Sequence, residues 1–314
     1  MKAVGVRRFG GPEALEVVEL DDPHPGPGEI RIRVHAAAVN PTDTLFRTGA
    51  TSAEALRDRP PPYVPGMDVA GVVDEVGEGV RQSVGDDVMA ITLPRSRLGG
   101  GYAEHVVVPT DSATAMPAGA TYAEACTLPM NGMTAQLSLD RLALGPGRTL
   151  AVTGAAGAYG GYVVQLAKAR GLRVVADASP EDEPLVRRLG ADVVVARGGG
   201  VALRIRQAVP DGVDAVADGA VIGAPLLAAV RDGGALAAVR GFGAETERGI
   251  VVHAIWVSDY AREWEKLDEL RRLAETGAVT PRVAQTYPPE RAADAHRRLE
   301  AGGVRGRLVI MFGP

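Results

Sequence analysis

Three glycines recur at every third position in the run Leu150-Ala151-Val152-Thr153-Gly154-Ala155-Ala156-Gly157-Ala158-Tyr159-Gly160-Gly161. An apolar segment precedes them and an amphipathic one follows, which is the setting of a strand that turns sharply into a helix. Glycine at the turn lets the backbone come close to a pyrophosphate. Glycine at the third position lets the helix pack tightly on the strand, whose neighbouring helix N-terminus offers N–H donors and positive potential. The candidate contacts are Gly154, Ala155, Gly157, Ala158, Tyr159 and Gly160. About 20 residues further on, where such folds place an acid on the adenosine ribose, stands Asp177, followed by Ser179. A carboxylate there favours NAD over NADP. Arg197, at the end of the next apolar segment, could instead meet a 2′-phosphate, so both coenzymes stay open.

The elements around this loop alternate. We expect strands at Thr149–Thr153, Arg173–Asp177, Asp192–Val195, Asp214–Asp218 and Gly234–Val239. Helices are expected at Gly160–Arg170, Pro180–Leu189, Ala202–Val209 and Gly223–Val230, after a longer helical stretch over Thr121–Leu142. This alternation implies right-handed crossovers and a doubly wound parallel sheet. Ligands of such sheets lie at the carboxyl ends of the strands. That adds Asp218 after the fourth strand, and Gly241 and Phe242 after the fifth.

The first third of the chain is different. Glu29–His35 alternates apolar and polar residues with period two, Val69–Val76 and Tyr102–Val108 are further strands, and Gly and Pro punctuate them, as in a barrel-like β domain. After residue 253 the chain reads as a mixed tail: a helix over Asp259–Thr276, a strand over Arg282–Tyr287, a helix over Pro289–Ala301 and a strand over Arg305–Phe312. The expected organisation is α/β: a catalytic domain from residues 1–117 and 254–314, with a dinucleotide-binding domain, 118–253, between them.

The bulk numbers fit an enzyme with two domains. There are 314 residues, 46% hydrophobic and 23% charged, with 40 glycines and a net charge of −5 spread along the chain. No basic face suggests nucleic acid, no apolar run reaches the length of a membrane span, and no leader pattern opens the sequence. A cytoplasmic location is expected. Cys126, the single cysteine, sits among apolar neighbours and reads as an inert core residue.

Taken together these segments resemble the medium-chain dehydrogenase/reductase superfamily, in its zinc-free quinone oxidoreductase (zeta-crystallin-like) branch. The likeness rests on Phe9-Gly10-Gly11-Pro12-Glu13, Pro25-Gly26-Pro27-Gly28-Glu29-Ile30, Ala38-Val39-Asn40-Pro41-Thr42-Asp43 and Pro65-Gly66-Met67-Asp68-Val69-Ala70-Gly71, besides the glycine loop. Gly100-Gly101-Tyr102-Ala103-Glu104-His105 and Asn131-Gly132-Met133-Thr134-Ala135 add to it. The resemblance implies a GroES-like β-barrel catalytic domain plus a Rossmann domain, and hydride transfer from NADP(H), with NAD(H) open, to a quinone or activated enone. It implies a homodimer whose sheets meet near Ile250–Val257, and a nicotinamide faced by Asn131 and Thr134.

Zinc members of that superfamily need a thiolate and an imidazole at the catalytic metal. Here Asn40 takes the place of the cysteine and Met67-Asp68 that of a His-Glu pair, so no zinc is expected. Without a metal, positioning and a few dipoles must suffice. Asn40, whose amide can donate to an acceptor oxygen, is the first catalytic candidate. Tyr63, at the expected substrate mouth, is the second, and Asp43 is read as a helix cap. The stretch Arg47–Pro62 lacks the tyrosine that relatives often carry there and is long. That leaves room for a different acceptor, such as an enone or an enoyl thioester whose phosphate Arg47, Arg57 and Arg59 would meet. A separate alternative is a non-catalytic NAD(P)H-binding redox sensor.

Overall fold

The computed structural model describes residues 1–313. Its chain divides into two compact units, Met1–Met130 with Ala261–Glu275 and Pro281–Pro314, and Asn131–Tyr260 with Thr276–Thr280. The first division therefore falls at Met130 rather than after residue 117. Residues of the intervening segment are tied to the first unit: the Met130 N–H donates to Asp68, and the Tyr122 ring stacks on His35.

In the first unit Lys2–Val6 pairs antiparallel with Leu15–Glu19. The remaining strands form one seven-stranded sheet centred on the long strand Glu29–Val39. One edge of that strand takes Asp68–Val76 along most of its length. Its other edge is shared: residues 29–33 pair with His105–Pro109, and residues 36–39 with Arg307–Met311 from the far end of the sequence. The period-two pattern explains the core, since Ile30, Ile32 and Val34 are buried while Arg31 and Arg33 point the other way. Burying each such side chain contributes about 1.5–3 kcal/mol. Residues from both ends of the chain, Val4, Val6, Leu308 and Ile310 among them, complete this core.

The second unit is a six-stranded parallel sheet. Its order is Val193–Ala196, Arg173–Ala178, Thr149–Thr153, Val213–Asp218, Val230–Ala238, Val251–Ala254. In order of occurrence that is 3-2-1-4-5-6, with a switch point beside Thr149–Thr153, as in dinucleotide-binding folds. Leu150, Ala151 and Val152 are wholly buried, as expected of a strand covered on both faces.

Several expected elements differ, these among them. The helix over Thr121–Leu142 is two helices, Tyr122–Ala125 and Pro129–Leu142, because Pro129 cannot continue a preceding helix and serves as the start of the next. The helix over Gly223–Val230 is a six-residue 3-10 turn, Ala224–Ala229. Asp259–Thr276 is likewise a 3-10 turn at Val257–Tyr260 followed by the helix Trp264–Glu275. No helix among the described residues is long and apolar enough to cross a membrane.

Candidate active site

In the second unit the glycine loop joins Thr149–Thr153 to the helix Ala158–Ala169. Gly154 has φ +66°, and a Cβ on it would lie 3.0 Å from the Gly219 carbonyl carbon. A Cβ on Gly160 would lie 2.3 Å from the Gly154 carbonyl oxygen, so the loop closes only over a bare backbone there. Gly157 caps the helix, and Ala155 and Ala158 are buried beside it. The Tyr159 hydroxyl lies 2.8 Å from that of Ser138, and burial raises its phenol above the ordinary range.

Asp177 is 5% exposed and its carboxylate accepts the Ala155 N–H at 3.2 Å, bracing the loop from the neighbouring strand. Burial raises its pKa; the Ala155 and Gly154 N–H groups and the Arg197 charge pull it back. Asp218 accepts from the Thr153 hydroxyl (2.7 Å) and from the Gly223 N–H (2.8 Å), which ties the ends of two adjacent strands. Ser179 donates to Asp182 at 2.8 Å, and Arg197 is exposed. Gly241 has φ +80° and Phe242 packs on the core of this unit. Asn131 and Thr134 are nearly buried in the first turns of Pro129–Leu142, where Ser138 donates back to the Thr134 carbonyl. Backbone N–H groups at a helix start, glycines that admit no Cβ and a braced acid together fit a dinucleotide pyrophosphate.

The first unit holds a buried polar cluster around Asn40. The helix Pro41–Arg47 begins at Pro41, so Asp43 lies inside it, and the residue in the capping place is Asn40. The Asn40 backbone N–H donates to the Asp43 carboxylate at 2.8 Å. Its side-chain amide, expected to reach an acceptor oxygen, donates to Asp68 at 2.6 Å instead, because a buried carboxylate demands donors. The other Asp68 oxygen accepts the Met130 N–H at 2.5 Å. Burial pushes the Asp68 carboxyl up to about 6 against the pull of the Met130 and Asn40 donors and of the Arg307 charge. Burial likewise pushes Asp43 up to about 7, with Asp68 adding to it and Asn40, Tyr102 and Gly66 opposing.

Two members of this cluster were absent from the sequence expectations. Tyr102 donates to Asp43 at 3.0 Å, and its oxygen lies 3.3 Å from His296 Nε2. Their separations of 59 and 194 residues carry no local pattern; the only available signal was the Gly-Gly-Tyr motif. Tyr63 donates its hydroxyl to the Arg59 carbonyl at 2.9 Å and its ring stacks on Phe9. The phosphate role of Arg47 is corrected. Arg47 is 2% exposed and donates to the Gly10 carbonyl, His296 and Glu300. Arg59 donates to the Ser96 carbonyl, and Arg57 is exposed beside Glu54.

Residues 26–118 match the family described as alcohol dehydrogenase GroES-like domain, and residues 189–310 that described as zinc-binding dehydrogenase. The quinone oxidoreductase of Sus scrofa is 30% identical over 337 residues, spanning 99% of this chain and 98% of the relative. The chain belongs to the quinone oxidoreductases of the medium-chain dehydrogenase/reductase superfamily. The chloroplastic NADPH-dependent alkenal/one oxidoreductase of Arabidopsis thaliana is 32% identical, over 99% of this chain and 79% of that one. A mycobacterial structure complexed with NADPH superimposes with a TM-score of 0.86 at 30% identity, covering 99% of this chain and 100% of the other. Like its relatives, this quinone oxidoreductase chain is an oxidoreductase of an NADPH-binding family. The Asn40 amide donates to Asp68, and among the described residues no group of three or more His, Cys, Asp or Glu side chains is arranged to hold a metal ion.

Proposed function

We propose that this chain reduces a quinone or an activated enone with NADPH and without zinc, as a cytoplasmic homodimer. The observation that carries the metal-free reading is the 2.6 Å bond from the Asn40 amide to Asp68. A donor and an acceptor satisfy each other at positions where zinc relatives need lone pairs turned to a metal. Acceptors that spread incoming charge through conjugation need little polarisation, so positioning supplies most of the catalysis.

The reduced nicotinamide, when bound, supplies the hydride. The chain's own part in holding it falls to the loop Gly154–Gly160 and the N–H donors of the helix it opens, with Asp177 keeping that loop in shape and facing the ribose. Asn131, Thr134, Asp218, Gly241 and Phe242 are proposed around the nicotinamide and ribose, and Ser179 and Arg197 at a 2′-phosphate. The loop of Asn40 and Tyr63 is proposed for the acceptor end, with Asn40 acting through the backbone it fixes and through its amide when the Asp68 bond opens. The exposed edge strand Val251–Ala254, with Val251 52% exposed, supports the dimer.

Chelator-treated protein, supplied with NADPH or NADH and a soluble ortho-quinone or enone, should oxidise the coenzyme at an unchanged rate. Loss of the rate on chelation, restored by zinc, overturns the metal-free reading; absence of any turnover despite binding overturns the reductase reading. Asp177→Ser should raise the NADPH/NADH ratio of kcat/KM, about ten-fold, by removing a carboxylate that repels a 2′-phosphate. An unchanged or lowered ratio would show that this acid serves the loop alone.

A further inference from the structure

We propose that Tyr102 and His296 are positioning residues for acceptor reduction, forming with Arg47 a one-way hydrogen-bond chain that ends on Asp43 and thereby sets the backbone of Asn40 and Gly66. This rests on the reading of the Asn40 loop as the acceptor end.

The direction of the chain follows from its chemistry. A guanidinium only donates, so Arg47 Nη1, 3.1 Å from His296 Nδ1, makes that nitrogen an acceptor. His296 is fully buried, and burial with the Arg47 charge holds it down to about 3, so the ring is neutral and its one hydrogen sits on Nε2. Nε2–H then donates to the Tyr102 oxygen at 3.3 Å, and the Tyr102 hydroxyl hydrogen goes to Asp43 Oδ2 at 3.0 Å. Asp43 also accepts the Asn40 N–H at 2.8 Å and the Gly66 N–H at 3.3 Å. Three donors converge on this carboxyl. Arg47 is itself anchored by Glu300 at 2.6 Å and by the Gly10 carbonyl at 3.1 Å.

Such a chain suits only an ionised Asp43. A proton on that carboxyl would need an acceptor, and the nearest, Tyr102, could accept only by turning its own hydrogen toward the His296 Nε2–H. Burial and the Asp68 carboxyl favour that proton; the convergent donors oppose it. Asp68 is in turn held by Asn40 and Met130 and influenced by Arg307, and the Cys126 thiol lies within its field. Asn40 is thus gripped twice, by its backbone through Asp43 and by its amide through Asp68, and the chain from Arg47 maintains the first grip.

The test combines the pH profile of kcat with isotope-edited infrared titration of the aspartic carboxyls in the full-length protein. Wild type should lose activity as pH falls through about 7, while a carboxylic-acid band grows over the same interval. Tyr102→Phe removes one donor to the ionised form, so limb and band should both move upward by about one pH unit, with kcat reduced and KM for NADPH unchanged. His296→Gln, which can accept from Arg47 and donate to Tyr102, should retain the wild-type profile, whereas His296→Leu should reproduce Tyr102→Phe. Folded Tyr102→Phe or His296→Leu protein with the wild-type limb and band would overturn the proposal and leave these residues as packing. If Tyr102→Phe does not fold, the His296 pair decides. If wild type reduces neither quinone nor enone, the reductase reading fails separately, and an unmoved infrared midpoint still overturns this inference.

Discussion

Replacing Gly160 by valine is expected to cut NADPH affinity by about two orders of magnitude, equivalent to about 2.7 kcal/mol. The first added carbon alone would sit 2.3 Å from the Gly154 carbonyl oxygen, a backbone atom that cannot rotate away. The loop must open to admit it, and its N–H groups then no longer converge on a pyrophosphate. Overpacking of this kind also costs about 1–3 kcal/mol of stability. Gly157→Ala is the matched control: its Cβ would meet the same oxygen at 3.1 Å, a contact relieved by a shift of a few tenths of an ångström. Fluorescence titration of both variants with NADPH checks the contrast. Equal losses would mean that loop closure does not govern binding.

The second large effect is expected in the first unit. Asp68→Ala should destabilise it by about 3 kcal/mol, because the Asn40 amide and the Met130 N–H lose this acceptor inside the protein. The pH dependence gives a separate check. Asp68 and Asp43 are pushed up to about 6 and about 7, above their ordinary 3.8. Between pH 4 and 7 the folded chain therefore holds protons that the unfolded chain has released, and their contribution to stability declines as pH rises through that window. Asp68→Ala should flatten the decline between pH 4 and 6. Denaturant unfolding at several pH values measures both quantities; a loss below about 1 kcal/mol with an unaltered slope would remove Asp68 from the account.

Local chemistry was legible in the sequence where it lay within one turn. Gly154, Gly157 and Gly160 declare their loop because the strand before and the helix after it occupy adjacent residues. The alternation over Glu29–His35 announces its strand for the same reason. Pairings between distant segments left no such trace. That Asn40 donates to Asp68 depends on two strands meeting in register, Ala38 opposite Asp68. That Arg47 is internal depends on the last helix of the chain, Ala292–Glu300, bringing His296 and Glu300 to it. The sequence offered Arg47 to a phosphate, and only the fold shows that it anchors a buried chain. Pro129 is a readable break that the expected helix over Thr121–Leu142 runs through.

The shared edge of Glu29–Val39 has a consequence for how the protein is made. On that edge residues 36–39 find their partner only in Arg307–Met311, so a chain emerging from the ribosome carries an unfinished sheet edge until residues 307–311 are out. The parallel sheet of the second unit lies wholly within residues 149–254 and has all its strands much earlier. Synthesis should thus deliver a formed nucleotide-binding unit while the early β segments still present an open edge, the period in which a nascent chain is most exposed to mispairing and most in need of a chaperone.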